Sequence, residues 1–187
     1  MPAPLYTFAD MAVRISILDG RDDFSTVREQ IRGFHQRGLI KAADHGGARG
    51  AVRVTQYEFC RARLLLVLLD LGVRSDDLAR ASVAINDSGR TTLPDGSVIN
   101  RTLAEVMAGV RTNKRWILAG GMYADEGGTG FTVRLVRDYE VNRPFSDRNP
   151  HGDPMLPDST PILRAFTLYA QIKIPASDLI APLLSDA

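Results

Sequence analysis

The sequence predicts an α+β protein in two parts. Residues 1–82 read as a mostly α-helical domain with a small β segment, and residues 83–187 as a small α+β domain with an antiparallel sheet. Three observations predict this. Apolar residues recur at helical spacing at Val27, Ile31 and Phe34, and run unbroken from Leu64 to Leu69. Residues Phe131 to Arg137 and Phe166 to Ile174 alternate apolar and polar, the period of a half-buried strand. Glycine and proline clusters at Gly46-Gly47, Pro94-Asp95-Gly96 and Gly127-Gly128 punctuate the chain between these runs.

The first informative element is a helix over residues 26–37. Val27, Ile31 and Phe34 form its apolar side, Arg28, Arg32, His35 and Gln36 its basic and polar side, and Gly38 stops it. Lys41 to Val54 follows as a basic segment bent at Gly46-Gly47 and Gly50, where glycine permits the positive φ of a tight hairpin. Thr55-Gln-Tyr-Glu58 has the form of a capping box, in which hydroxyl and carboxylate satisfy each other's exposed amides. The helix that it opens runs through the leucines to Gly72. A shorter one starts at Ser75, with Asp76 and Asp77 in the first turn where the helix dipole favours them.

In the second part, Ser82 to Asn86 is expected as a strand and Pro94-Asp95-Gly96 as a turn. Asn100 is the expected cap of a helix carrying Leu103, Val106, Met107 and Val110 through Arg111. Gly127 to Gly130 reads as a turn before a strand, because no helix opens after it to receive a phosphate. Asn142 to Pro161, rich in Pro, Asp and Asn, reads as a long loop. A last helix begins at Ser177 and is interrupted or ended near Pro182.

The order of the first part (basic helix, glycine-bent basic segment, long apolar helix, short helix) resembles the DNA-binding domain of the MerR family, a winged helix-turn-helix. The residues that carry the likeness are Tyr6-Thr-Phe-Ala-Asp-Met-Ala12, Ile31-Arg-Gly-Phe34, Arg37-Gly-Leu-Ile40, Arg53-Val-Thr-Gln-Tyr-Glu-Phe59 and Leu71-Gly-Val-Arg-Ser-Asp-Asp-Leu78. It spans roughly Leu5 to Ala81. The resemblance implies that 26–37 is a recognition helix for the major groove and 41–54 a wing on the backbone or minor groove. The chain departs from the family in three places. Arg14 to Phe24 reads as a longer connection between the first two helices, Gly33-Phe34 stands where the family has an aromatic pair, and no long heptad helix follows Ala81.

Charge agrees with a local anionic partner. The 187 residues carry a net charge of only +1, but between Ser25 and Leu65 eight cations stand against three carboxylates, which leaves the remainder of the chain acidic. Arg28 and Arg32 are expected to meet phosphate or a guanine edge, the other reading being a surface ion pair with Glu29. Lys41, Arg49 and Arg53 would belong to the wing, and the resemblance implies that Tyr57 touches phosphate from the first turn of the next helix, the other reading being a tyrosine at the core edge. His35 and Gln36 complete the expected DNA-binding set. Cys60, among Phe59 and Leu64, reads as a small buried hydrophobe.

Several classes are not expected. There is no nucleophile elbow, thiol pair, phosphate loop or His cluster, so no catalysis and no cofactor are predicted. With no cysteine after Cys60 and only His151 in the second half, a thiolate metal site is excluded; Asp147, His151 and Asp153 match no known ligand spacing, and no metal is expected. No apolar run approaches the roughly 20 residues of a membrane span, and no signal-peptide pattern is expected at the amino end; the single cysteine, Cys60, rules out an internal disulfide and leads to the expectation of a cytoplasmic protein. The expected function is a bacterial or phage sequence-specific transcriptional regulator that binds double-stranded DNA as a homodimer. Its second domain would serve oligomerisation, a protein partner or a small ligand. The alternative is an architectural accessory factor of a phage or mobile element, of the excisionase or small terminase subunit type.

Overall fold

The computed structural model describes residues 4–44, 51–92, 96, 98–125, 128–137 and 167–185. The architecture is α+β, with six helices and small antiparallel sheets among the described residues. It divides into two compact units: Met1–Leu78 together with Asp178–Ala187, and Ala79–Ser177.

In the first unit, strand β1 (Leu5–Thr7) leads directly into helix α1 (Phe8–Asp19). Thr7 and Asp10 form a reciprocal capping pair: the Thr7 hydroxyl accepts from the Asp10 amide at 3.2 Å, and the Asp10 carboxylate accepts from the Thr7 amide at 2.9 Å. The carboxylate also accepts from the Thr7 hydroxyl at 2.7 Å, and its bonds from the Thr7 amide first and the hydroxyl second hold the Asp10 carboxyl below its ordinary pKa. Met11, Ala12 and Ile15 are buried on the inner side of α1. The long connection expected from Arg14 to Phe24 is therefore corrected. Helix α1 continues to Asp19, and only residues 20–23 separate it from α2 (Phe24–Gln36). Gly20 makes the stop possible at φ 63°, with its amide reaching the Ile17 carbonyl and the Arg21 amide the Ser16 carbonyl at 2.8 Å.

Helix α2 buries Val27, Ile31 and Phe34, the three positions that the spacing selects. Its cap is Asp23, which accepts from the hydroxyls of Ser25 and Thr26 and from the Thr26 amide at 3.0 Å. These bonds lower the Asp23 carboxyl from 3.8 to about 2. Beyond α2, Asp44 and Arg53 pair antiparallel, the Arg53 amide donating to the Asp44 carbonyl at 2.8 Å. Arg53 opens strand β2 (Arg53–Thr55), which pairs antiparallel with β1 in the register Tyr6↔Val54.

Helix α3 (Gln56–Asp70) is the centre of this unit, with Phe59, Cys60, Ala62, Leu64, Leu65, Leu66 and Leu68 fully buried. Thr55 caps it as expected, accepting from the Glu58 amide at 3.3 Å. The Glu58 carboxylate does not complete the expected reciprocal pair; it lies 3.3 Å from Arg61 instead. Arg63, 4% exposed, donates to the Asp19 carboxylate at 2.6 Å and to the Leu179 carbonyl. That carbonyl belongs to helix α6 (Ala176–Leu184), whose later carbonyls also receive Arg14 (at Pro182) and Gln56 (at Leu183, 2.9 Å). Arg14, a cation at the last turn, satisfies an orphan carbonyl and the negative end of the dipole together. Pro182 does not end α6, which continues to Leu184.

Helix α4 (Ser75–Asn86) overturns the strand expected at Ser82–Asn86. Leu78, Ala81, Ser82 and Ile85 are buried at a helical period, so one continuous buried stripe outweighs the local β preference of Val83 and Ile85. In the second unit, strands β3 (Asp87–Thr92) and β4 (Val98–Thr102) pair antiparallel; Pro94 and Asp95 of the expected turn lie outside the described residues.

Helix α5 (Leu103–Arg111) follows, capped by Thr102 rather than by Asn100: the Thr102 hydroxyl accepts from the Glu105 amide at 3.2 Å. Strands β5 (Trp116–Asp125), β6 (Gly128–Arg137) and β7 (Thr167–Ile174) form an antiparallel sheet ordered β6-β5-β7. The expected turn at Gly127–Gly130 is thus mostly strand: Gly128 to Gly130 pair with Asp125 to Tyr123.

Trp116, Leu118, Phe131, Val133 and Leu135 are buried in this unit beside Leu103, Val106 and Met107 of α5. The Arg137 guanidinium stacks 4.2 Å over the Trp116 ring, and buried Arg101 donates to the Leu135 carbonyl at 3.2 Å. Residues 142–161 and the expected 41–54 bend between Asp44 and Ala51 lie outside the described residues.

Candidate nucleic-acid interface

Helix α2 presents two chemically different sides. Val27, Ile31 and Phe34 face the core, whereas Ser25, Arg28, Glu29, Arg32 and Gln36 are exposed. Positions 28, 32 and 36 are spaced one turn apart, so two guanidiniums and an amide line one edge of the helix. The Glu29 carboxylate stands between the arginines, 3.6 Å from Arg28 and 3.7 Å from Arg32. Those separations exceed a good charge-assisted hydrogen bond, and all three side chains are about half exposed or more (49%, 55% and 59%), so water and salt screen the pairs. Both arginines can leave Glu29 at small cost.

The other candidate residues sit as follows. His35 is half-buried, its ring tilted against Phe8 at 5.4 Å between centroids and its Nδ1 3.5 Å from the Ile40 carbonyl oxygen. Lys41 is exposed just past α2. Arg53 is exposed on β2, opposite Thr7 and beside Asp44, and its charge helps lower the Asp10 carboxyl. Tyr57 is half-buried in the first turn of α3. Arg49, together with His45, lies outside the described residues. Arg28, Arg32 and Gln36 are therefore brought onto one edge of one helix, and Arg53 holds one side of the antiparallel base that follows it.

Sequence counting overstated the positive surface. Arg61 and Arg63 are buried and paired with Glu58 and Asp19, so they present no charge to a partner. The exposed, described set between residues 25 and 65 is Arg28, Arg32, Arg37, Lys41 and Arg53 against Glu29 and Asp44, five charges against two. Arg37 is not among the expected DNA-binding residues. It caps the end of α2, donates to the Gly33 carbonyl at 3.3 Å and to the Ser75 hydroxyl, and lies 5.5 Å from the Phe34 ring centre. Asp22 and Asp23 make the start of α2 negative, so its basic character belongs to the middle and far turns.

Among the described residues, no group of three or more His, Cys, Asp or Glu is placed to hold a metal ion. Likewise, none of the helices there is long and apolar enough to cross a membrane. Asp147, His151 and Asp153 fall outside the described residues. Comparison with protein-family models, with curated proteins and with solved structures found no match to this chain.

Proposed function

We propose that the first part of the chain is a winged helix-turn-helix DNA-binding domain of the MerR type and that the protein is a sequence-specific transcriptional regulator. In this reading α2 enters the major groove of double-stranded DNA, and the segment 41–54 acts as a wing on the backbone or minor groove. The observation that carries it is the edge formed by Arg28, Arg32 and Gln36, exposed opposite a fully buried apolar side. An α-helix fits the major groove, and guanidinium and amide groups are the side chains that bond guanine and adenine edges there.

Two further features support it. Only four residues join α1 to α2, and an antiparallel base at Asp44 and Arg53 follows α2, as a wing requires. The second domain is assigned to homodimer formation or to a protein partner or small ligand, with no cofactor and no catalysis.

The test combines genome-wide mapping of bound DNA with titration of Arg32→Ala on the recovered site. If Arg32 meets phosphate, the slope of log affinity against log salt should fall by about 0.9. If it meets guanine, discrimination at one base pair should fall by about 1–3 kcal/mol. Unchanged affinity and slope would remove α2 from the interface. Recovered sites that are promoters support a regulator, whereas bent attachment or packaging sequences would argue for an accessory factor.

A further inference from the structure

We propose that Glu29 is the specificity-determining residue of the α2 surface: its charge lowers the sequence-independent attraction of this edge for phosphate, and its carboxylate accepts a hydrogen bond from the exocyclic amine of a cytosine in the major groove. This role rests on α2 being the DNA-contacting helix.

The geometry is a trio with one carboxylate oxygen for each guanidinium, Oε1 toward Arg28 at 3.6 Å and Oε2 toward Arg32 at 3.7 Å. Two cations and one anion leave the edge with a single net positive charge. Non-specific affinity comes from cations that displace condensed counterions from phosphate, so a carboxylate seated between them weakens that component directly. Glu29 is also half exposed and lies on the same side as the arginines, so docking this edge brings its carboxylate toward the DNA as well.

A carboxylate carried toward a duplex is repelled by phosphate and by every acceptor on the base edges. Guanine offers O6 and N7, both acceptors, which suit Arg28 and Arg32 but not Glu29. Of the two major-groove amines, cytosine N4 suits a carboxylate better than adenine N6, which lies beside the N7 acceptor. A C·G pair adjoining the guanines that the arginines read therefore satisfies all three side chains, whereas guanine or thymine at that place offers the carboxylate only acceptors and adenine offers its N6 amine only beside the N7 acceptor. An ordinary surface ion pair on this edge would share the charge effect on non-specific affinity but predicts no preference for a C·G pair.

The experiment uses the full chain and two variants, Glu29→Gln and Glu29→Asp. Each is selected against a randomised duplex pool and then titrated on the enriched duplex and on a mixed-sequence duplex. Melting curves of the free proteins confirm that both variants fold. Glu29→Gln should bind the mixed-sequence duplex about two- to five-fold more tightly with a steeper salt slope, and lose about ten-fold of its preference for a C·G pair beside the guanines. Glu29→Asp keeps the charge but shortens the reach, so it should keep the wild-type non-specific affinity and still lose the base preference. If wild type selects a sequence and both variants discriminate as it does, the role of Glu29 is overturned while α2 stands. If wild type binds no duplex in a salt-dependent way, the DNA-binding function itself falls, and this role with it.

Discussion

Replacing Arg63 by Met should destabilise the first unit by about 3 kcal/mol, because it leaves charge and carbonyl unpaired where water scarcely reaches. The Arg63 side chain is 4% exposed, that of Asp19 15%, and their N–O separation is 2.6 Å. Methionine keeps most of the aliphatic stem's packing, so the cavity contribution is small. Removing one member of a buried pair typically costs about 3–5 kcal/mol. The lower end applies here, since Asp19 keeps a second cation, Arg21, at 3.6 Å.

The loss is read from urea denaturation followed by far-UV circular dichroism, as a lower midpoint with an unchanged slope. Adding Asp19→Asn to Arg63→Met should return about 1 kcal/mol or more, because the stranded charge is then gone. A cost below about 1 kcal/mol, the value of an exposed pair, would refute the claim that this pair is desolvated. Failure of the second substitution to rescue would show that the cost is not electrostatic.

Further consequences concern other elements. Gly109→Ala would place a Cβ 2.5 Å from Trp116 Nε1 and 3.0 Å from its Cδ1. Forcing α5 and the indole apart should cost about 1–3 kcal/mol and shift tryptophan emission; an unmoved spectrum with full stability would contradict the close approach. Asp23 makes stability depend on acid pH with a defined sign. Its carboxyl is lowered to about 2 in the folded chain, so its contribution is complete above the unfolded value near 3.8 and disappears as pH falls through about 2. Urea midpoints of Asp23→Asn should fall less steeply than those of the natural chain over that interval, and superimposable curves would rule this out. On the α2 edge, Arg28→Ala should reduce the DNA salt slope or base discrimination as Arg32→Ala does, whereas Gln56→Ala, buried in contact with the Leu183 carbonyl, should lower stability and leave the salt slope alone.

What could be read from residue order was local. Helix α2 was legible because Val27, Ile31 and Phe34 repeat at its period while Arg28, Arg32 and Gln36 occupy the opposite positions. Thr55 announced α3, and the alternation of Phe131 to Arg137 announced β6. Helix α1 was harder to bound, because Val13, Ile17 and Leu18 are exposed and blur the apolar stripe made by Met11, Ala12 and Ile15. Its cap was nonetheless written at Thr7-Phe-Ala-Asp10, the same pattern as a capping box with Asp for Glu. Strand β1 left no usable signal, since three residues are too few to establish a period; only its pairing with β2 makes it a strand.

By itself, then, the sequence determined which side of α2 is buried, where α3 begins, and that the later part of the chain contains antiparallel strands. Tertiary structure alone decided which charges are surface. Arg63 looks in the sequence like one more cation of a basic stretch, yet its partners are Asp19, 44 residues away, and Leu179, 116 residues away. It also decided that the last residues of the chain return to the first unit, where Arg14, Gln56 and Arg63 bond the carbonyls of α6. The physical reason is the same in both cases. Periodicity and capping act within a few residues, whereas the burial of a charge depends on what distant segments bring to it.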